Sequence, residues 1–371
     1  MKFVFRADAS VQIGTGHVRR CLTLANALKS LGNDCLFVCR DLQGGLVDLL
    51  DREGHKVTVL PAPTEECTFD DQPSHAAWAE VGWQKDAAET AAIVKEFAPD
   101  WLIVDHYAFD GRWQRQVLEA HRSRLFVIDD LADRPHVADL LLDQNLGRSR
   151  ADYAELLPAG CDLLVGPHYA LLRAEFSQLR ASALRERRER LAGPVRKIMI
   201  SMGGVDLIDV TSFVLKGLQV SDLPDDTGLL IVMGSHAPGL ASVHTLAADS
   251  RFQCEILIDC KNMAELMALA DLSIGAAGST SWERCCLGLP GIIIPIADNQ
   301  LGAAGALERS GASSLFDFTA PDKDPGMFAK QVNELIRSPE NLQKMSAAAS
   351  TEVDGDGVSR VITALTGESV T

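Results

Sequence analysis

A motif near the start of the chain has the residue types needed to position a histidine for chemistry. Arg6 and Asp8 end the first apolar run, and Gly14-Thr15-Gly16 then leads into a helical pattern that starts at His17. Two glycines allow a tight turn and a close approach to a ligand, and a helix start offers unpaired N–H groups. His17 could be a general base, a phosphate donor or a capping residue, and the motif alone leaves all three open.

Two glycine-rich turns in the second half of the chain could bind phosphate groups. Gly203-Gly204 follows the apolar run KIMIS, and Gly278-Ser279-Thr280 follows the run LSIG. Each turn opens a helical pattern, so its backbone N–H groups could face a pyrophosphate. Glu283 lies one helical turn further on and could accept both hydroxyls of a ribose. The alternatives are a structural turn at Gly203-Gly204 and a capping box between Thr280 and Glu283.

Polar residues also follow three apolar runs in the first half of the chain, at Asp105-His106-Tyr107, Asp129-Asp130 and Asp143-Gln144-Asn145. Ligand sites are built where parallel strands end, so these carboxylates could act as acid and base or bind a metal. The alternative is ordinary turn formation by aspartate. Because no cluster has the spacing of a metal site, we predict neither a metal nor a cofactor.

The elements that must position these residues alternate regularly along the chain. Apolar, β-branched runs predict strands covered on both faces, as in a parallel sheet. Helical patterns lie between them, for example over 18–31 and 84–97. The pattern predicts an α/β fold with two doubly wound domains and a cleft between them, over 1–175 and 195–350, and a C-terminal helix and tail over 351–371. The strands are expected at 3–5, 35–39, 56–60, 101–105, 124–129, 139–143, 162–166, 197–201, 229–233, 252–257, 272–275, 291–295 and 313–316.

The segment 176–194 is dense in arginine and ends at Gly193-Pro194. It is interpreted as a connecting helix and linker. Its arginines are expected to form a solvated helix face, with a phosphate-binding patch as the alternative.

Composition narrows the class of partner. The chain has 371 residues and a formal net charge of −16, so extended nucleic acid is a poor ligand. Its nine cysteines include no CxxC pair and are expected to be free thiols in a reducing cytoplasm. The N-terminus lacks the apolar core of a signal peptide, and no apolar stretch has the roughly 20 residues of a membrane span. We therefore expect a cytoplasmic protein that does not bind membranes; its oligomeric state stays open, a monomer included.

Long motifs along most of the chain resemble a known family. Residues 270–300 resemble the UDP-binding half of GT-B nucleotide-sugar enzymes, especially the peptidoglycan N-acetylglucosaminyltransferase. Together the runs 5–25, 104–107, 128–145, 166–176 and 201–206 are similar to the UDP-2,4-diacetamido-2,4,6-trideoxy-β-L-altropyranose hydrolases of pseudaminic acid biosynthesis. The resemblance implies a GT-B fold and metal-independent release of UDP by water attack at the anomeric carbon.

The resemblance also implies roles for individual residues. His17 would be the base, within a sugar-side N-terminal domain, and the C-terminal domain would bind UDP. The implied UDP contacts are Gly203, Gly204, Asn262, Met263, Gly278, Ser279, Thr280 and Glu283. The implied sugar-side residues are Arg6, Asp8, Gly14, Gly16, Asp105, His106, Tyr107, Asn299 and Gln300.

Two other functions stay open at this point. A GT-B glycosyltransferase would pass the sugar to an acceptor hydroxyl and would show a membrane-docking patch, which the N-terminal half lacks. A non-catalytic UDP-sugar binding module would not need His17.

Overall fold

The computed structural model describes residues 1–64, 73–320 and 323–368, so Cys67 and the last three residues of the predicted tail lie outside it. The described chain divides into two compact units. Unit 1 comprises 1–171 together with 357–371, and unit 2 comprises 172–356. The domain limits inferred from the sequence differ in two respects. They treat 176–194 as a separate connector, and they set 351–371 apart as a helix and tail, whereas 357–371 belongs to unit 1.

Unit 1 is built on a parallel seven-stranded sheet with the order β3-β2-β1-β4-β5-β6-β7. Its central strands are largely apolar because helices cover both faces, which gives two separate buried clusters. The strands are β1 Lys2–Ala7, β2 Asp34–Arg40, β3 Lys56–Leu60, β4 Trp101–Asp105, β5 Arg124–Ile128, β6 Leu140–Asp143 and β7 Asp162–Val165.

Unit 2 repeats this plan with a parallel six-stranded sheet in the order β10-β9-β8-β11-β12-β13. Its strands are β8 Lys197–Ser201, β9 Gly228–Met233, β10 Gln253–Ile258, β11 Leu272–Ala276, β12 Gly291–Ile294 and β13 Ser314–Leu315. Every predicted strand is present, with ends that differ from the prediction by at most two residues. The prediction of two doubly wound α/β units is confirmed.

Helices connect the strands in both units. In unit 1 they are α1 Gly16–Ser30, α2 Val47–Arg52, α3 Trp83–Phe97, α4 Gly111–Ala120 and the returning α13 Gly357–Thr366. In unit 2 they are α5 Ala174–Arg190, α6 Val210–Gln219, α7 Leu240–Ala248, α8 Met263–Leu269, α9 Thr280–Cys286, α10 Leu301–Arg309, α11 Pro325–Ile336 and α12 Pro339–Glu352. None of the helices in the described ranges has the length and apolarity needed to cross a membrane.

The arginines of α5 do not behave as expected. Arg187 is fully buried and donates to the carbonyl oxygens of Leu287, Ala270 and Met267. Arg180 donates to two carbonyls of the same unit. The expected solvated face is wrong for these residues, because the carbonyls that end α8 and α9 lack helical partners and need donors.

Candidate active site

The order of the strands explains where the candidate residues gather in each unit. In unit 1 the chain leaves β1 toward β2 on one side, while β4 pairs with β1 on the other. In unit 2 the chain reverses in the same way between β8 and β11. Such a reversal opens a crevice at the carboxyl ends of the two strands, where α/β proteins bind ligands. The turns that begin at residues 201 and 276 thus lie side by side, and His17 lies beside the end of β4.

His17 is held by Asp105 across the reversal point of unit 1. The imidazole Nδ1 lies 2.6 Å from Oδ1 of Asp105. Burial opposes ionisation of Asp105, but the charges of Arg20 and then His17 hold its pKa well below the usual range. An ionised carboxylate only accepts, so Nδ1 must carry a proton, and in the neutral form of the imidazole the lone pair is then on Nε2. Among the described residues the His17 ring makes this one hydrogen bond.

Asp105 is itself fixed by further charged groups. Arg20 donates through Nε and Nη2 to its two carboxylate oxygens, at 2.6 and 2.7 Å. Arg20 also pairs through Nη1 with Asp130, 2.7 Å away, and Asp130 accepts from the hydroxyl of Tyr107 at 2.6 Å. The ring of Tyr107 stands edge-on to the ring of His17, with 4.6 Å between centroids. Five side chains, His17 included, therefore form a closed circuit of contacts.

Sequence reasoning missed Arg20 and the part played by Asp130. Arg20 lies one helical turn after His17 on α1, so helical spacing places both side chains on the same face. Trp78 was also missed, and its ring lies 6.5 Å from that of His17. Nothing in the local sequence around Trp78 indicates this contact, because the segment is distant in the chain.

Arg6, Asp8 and His106 lie in a neighbouring buried network. Arg6 is fully buried and pairs with Asp8 and with Asp86, each at 2.6 Å. His106 accepts from the backbone N–H of Ala108 through Nδ1, and its Nε2 lies 3.3 Å from Oδ2 of Asp8. Burial lowers the pKa of His106. The polar atoms of these side chains face each other, so their sugar contacts stay a prediction that needs a rearrangement.

Asp129 and Asp143 end two neighbouring strands and share one hydroxyl. Tyr153 lies 2.9 Å from Oδ2 of Asp129 and 2.8 Å from Oδ2 of Asp143. A hydroxyl has a single proton to donate. Burial first, and then the charge of Asp130, raises the pKa of Asp143 to about 7. A protonated Asp143 can donate to the tyrosine oxygen while the tyrosine donates to Asp129.

The Gly14-Thr15-Gly16 turn leaves room in front of α1. Gly14 has φ +78°, a conformation that favours glycine, and a Cβ at Gly14 or Gly16 would meet open space. Thr15 caps α1 without a side-chain hydrogen bond. The side chain of Thr15 therefore does not occupy the first N–H groups of this helix.

The glycine-rich turns of unit 2 also leave open space beside their backbone. Gly203 has φ +88°, and a Cβ at Gly203, Gly204 or Gly278 would meet open space. Helix α9 has Ser279 as its cap residue, whose side chain makes no hydrogen bond to the helix in the described structure. Thr280 is the first residue of α9 and not its cap, which is the position that a capping box with Glu283 requires. The carboxylate of Glu283 lies 3.8 Å from Arg173.

A buried cation lies beneath the second of these turns. Arg284 donates to the carbonyl oxygen of Ala276 at 2.8 Å and to the hydroxyl of Ser281 at 2.9 Å. Burial lowers its pKa to about 10, so it stays charged at neutral pH. It adds positive charge behind the turn in a chain that is acidic overall.

The remaining candidates lie on exposed parts of unit 2. Asn262 precedes α8, where its amide donates to Glu265 at 3.2 Å, and Met263 is half-buried. Gln300 accepts from the N–H of Ile296 at 3.1 Å, and Asn299 is exposed. Within the described ranges no group of three or more histidine, cysteine or acidic residues could hold a metal ion.

Comparison with known proteins bears on this arrangement. The chain is 28% identical over 312 residues to the UDP-2,4-diacetamido-2,4,6-trideoxy-beta-L-altropyranose hydrolase of Campylobacter jejuni. The matched residues make up 84% of this chain and 97% of that protein. The resemblance to this hydrolase is confirmed. Residues 211–361 match the glycosyltransferase family 28 C-terminal domain.

The chain is also similar to transferases, in sequence and in fold. A stretch of 110 residues is 39% identical to the UDP-N-acetylglucosamine–N-acetylmuramyl-(pentapeptide) pyrophosphoryl-undecaprenol N-acetylglucosamine transferase of Desulfitobacterium hafniense, covering 28% of each chain. The crystal structure of MurG from Acinetobacter baumannii matches with a TM-score of 0.71 at 16% identity, over 99% of each chain. The fold is therefore GT-B, as predicted.

Proposed function

We propose that this protein hydrolyses a UDP-linked diacetamido-trideoxy-hexose and releases UDP and the free sugar for pseudaminic acid biosynthesis, a precursor step for a cell-surface glycan. The observation that carries the proposal is the His17–Asp105 pair, which leaves Nε2 of His17 able to take a proton. The name of the Campylobacter jejuni relative supports the choice of substrate.

The proposed reaction is a substitution at the anomeric carbon. Water attacks this carbon while Nε2 of His17 removes one of its protons, and the bond from the carbon to the UDP oxygen breaks with its electron pair. Asp105 stabilises the imidazolium that forms, and the proton then returns to solvent. UDP is already a good leaving group, so positioning of the water and charge stabilisation supply most of the remaining catalysis.

We assign the UDP to unit 2, where Gly203, Gly204 and the Gly278-Ser279-Thr280 turn would donate backbone N–H groups to the diphosphate. The open space at these glycines and the buried charge of Arg284 support this assignment. The proposal includes no metal, so turnover should survive excess chelator. Loss of UDP release with chelator and its recovery with magnesium would make Asp129 and Asp130 metal candidates.

We place the enzyme in the cytoplasm. The eight described cysteines, six of them buried, are all free thiols, which fits a reducing compartment.

A glycosyltransferase is the second candidate, favoured by the family 28 domain and the transferase relative. A non-catalytic UDP-sugar binding module is a third. The three differ in what happens when no acceptor is present. The hydrolase releases UDP and free sugar in equal amounts over many turnovers, the transferase needs an acceptor, and the binding module releases neither.

The test is therefore an acceptor-free assay on a panel of UDP-sugars, with His17→Asn as the matched variant. Loss of a positioned base should lower kcat by about 10²–10⁴-fold, while UDP affinity stays near that of the wild type. Turnover by His17→Asn at more than about a tenth of the wild-type rate would remove His17 as the base. No UDP release by the wild type on any sugar would reject the hydrolase.

A further inference from the structure

We propose that Arg20 and Asp130 are positioning residues that set, in opposite directions, the pH range over which the proposed base His17 is unprotonated. This inference rests on the proposed function only for its catalytic consequence. The underlying property belongs to the free protein and can be measured without substrate.

Arg20 contacts two carboxylates at once. Its guanidinium holds both oxygens of Asp105 and reaches Asp130 with the remaining nitrogen. A bidentate guanidinium–carboxylate contact fixes the carboxylate plane as well as its position. The orientation of Asp105, and through it the tautomer and direction of His17, therefore depends on Arg20.

The charges of the circuit are unequal. Asp105 and Asp130 are carboxylates, while Arg20 supplies one positive charge, which leaves one net negative charge beside His17 when the imidazole is neutral. Arg20 and Asp105 are less than a tenth exposed and Asp130 is only 14% exposed, so solvent screens them weakly. Protonation of His17 brings the circuit to neutrality.

Other titratable groups lie around His17 and its partners, among them Asp143, whose pKa is raised to about 7 by burial and then by the charge of Asp130. Cys21 on α1 lies 3.6 Å from Asp105, and burial raises the pKa of its thiol. After β4, burial and Asp130 keep Tyr107 protonated by raising its pKa, and His106 lies beside Asp8 and Arg6.

Two further groups lie on other segments. His75 packs against Trp78 and Tyr107, and burial lowers the pKa of His75. Asp129 and Arg134 form a pair beyond Tyr107.

These neighbours are neutral or internally paired. The net charge of the circuit thus depends on Arg20 and Asp130 more than on any of them. Removing the cation leaves two negative charges and favours the imidazolium, whereas neutralising Asp130 leaves none and favours the free base.

A direct role for Arg20 on substrate fits the structure less well. Its side chain is 8% exposed, and its nitrogens are committed to two carboxylates. A substrate phosphate would have to displace Asp105 or Asp130 from it.

The test follows the imidazole signals of His17 by NMR over a pH series in the free protein, with His17→Asn used for assignment. Arg20→Met should raise the titration midpoint by about one pH unit or more, and Asp130→Asn should lower it by a similar amount. Arg19→Met is the matched control, since it removes the same charge from the preceding residue of α1 at an exposed position and should leave the midpoint unchanged. The acid limb of kcat/KM should move with the midpoint in each variant.

Midpoints that move in the same direction in Arg20→Met and Asp130→Asn, or that do not move, would overturn the proposal. Circular dichroism checks folding. If Arg20→Met does not fold, Arg20→Lys and Asp130→Asn decide: the lysine should hold the midpoint, and the asparagine must still lower it. Failure of the wild type to release UDP would reject the proposed function while leaving the NMR result valid.

Discussion

At the scale of single residues, the proposed chemistry depends on a pair rather than on one histidine. The sequence indicates His17 through its place after a glycine turn, and the family resemblance implies a sugar contact for Asp105. The structure puts the carboxylate of Asp105 on Nδ1 of His17 and on Arg20. A local motif can suggest that a histidine is functional, but the group that orients it comes from a strand 88 residues away.

Asp105→Asn tests the pair directly. An asparagine of the same size can present its amide N–H to Nδ1, which would move the imidazole proton to Nε2 and block the base. We expect kcat to fall by about 10²–10⁴-fold with UDP affinity unchanged, measured by steady-state kinetics and calorimetry. The double variant with His17→Asn should be no slower than His17→Asn alone, since the aspartate acts through the histidine. Additive losses would contradict this coupling.

Glu283 is the residue we propose for the ribose. Thr280 is the first residue of α9 and Ser279 is its cap, so Thr280 does not hold the cap position that the capping-box alternative requires. Glu283→Ala should weaken UDP binding about ten-fold or more, the loss expected for charge-assisted hydrogen bonds, and should weaken binding of 2′-deoxy-UDP much less. Glu175→Ala is the matched control, because Glu175 contacts the same Arg173 at 3.0 Å. Equal losses for both nucleotides in calorimetric titrations would contradict a ribose contact.

At the scale of elements, the strands were predictable because each is a short apolar run covered on both faces. The strand order was not, since pairing joins residues far apart in the chain and leaves no local pattern. The arginines of α5 show a second limit. High charge density usually indicates solvent exposure, but the carbonyls that end α8 and α9 draw Arg180 and Arg187 into the unit.

The Gly203-Gly204 turn depends on a glycine outside it. A Cβ on Gly234 would lie 2.0 Å from the carbonyl oxygen of Gly204, so Gly234→Ala must displace the turn. We expect weaker UDP binding and a loss of roughly 1–3 kcal/mol in the free energy of unfolding. Gly228→Ala at the start of β9 is the control, because the nearest atom to its Cβ would be 3.8 Å away. Unchanged UDP affinity in Gly234→Ala would contradict a role for the Gly203-Gly204 turn in UDP binding.

Asp143, at the end of β6 and beside the end of β5, should make the free energy of unfolding depend on pH. Since folding raises the pKa of Asp143 from 3.8 to about 7, its stabilising contribution is full below the unfolded value and is lost as pH rises through 7. Asp143→Asn removes that loss. As the pH rises from about 5 to 8, the free energy of unfolding of this variant should therefore increase relative to that of the wild type by on the order of 1 kcal/mol or more, as measured by urea unfolding. Asp51→Asn, at an exposed position of α2, should show no such gain; a constant difference for Asp143→Asn would contradict the account.

At the scale of the whole molecule, net charge and ligand charge have the same sign. The chain carries −16, yet the proposed ligand contains a diphosphate. Backbone N–H groups at glycine turns and one buried arginine can supply local positive potential without changing the overall charge. Composition therefore predicts against extended nucleic acid as a ligand, but it could not locate a small phosphate site. The GT-B fold itself followed from the resemblance rather than from periodicity, which predicts two doubly wound units and no more.

The most direct measurement is hydrolysis of a UDP-sugar substrate in water labelled with heavy oxygen. Attack of water at the anomeric carbon breaks the bond between that carbon and the UDP oxygen, so the label should appear in the free sugar and be absent from UDP. Mass spectrometry of both products reads this out within one reaction, and His17→Asn should suppress the labelled sugar together with turnover. Label in the phosphate of UDP would mean attack at phosphorus and would contradict the central claim.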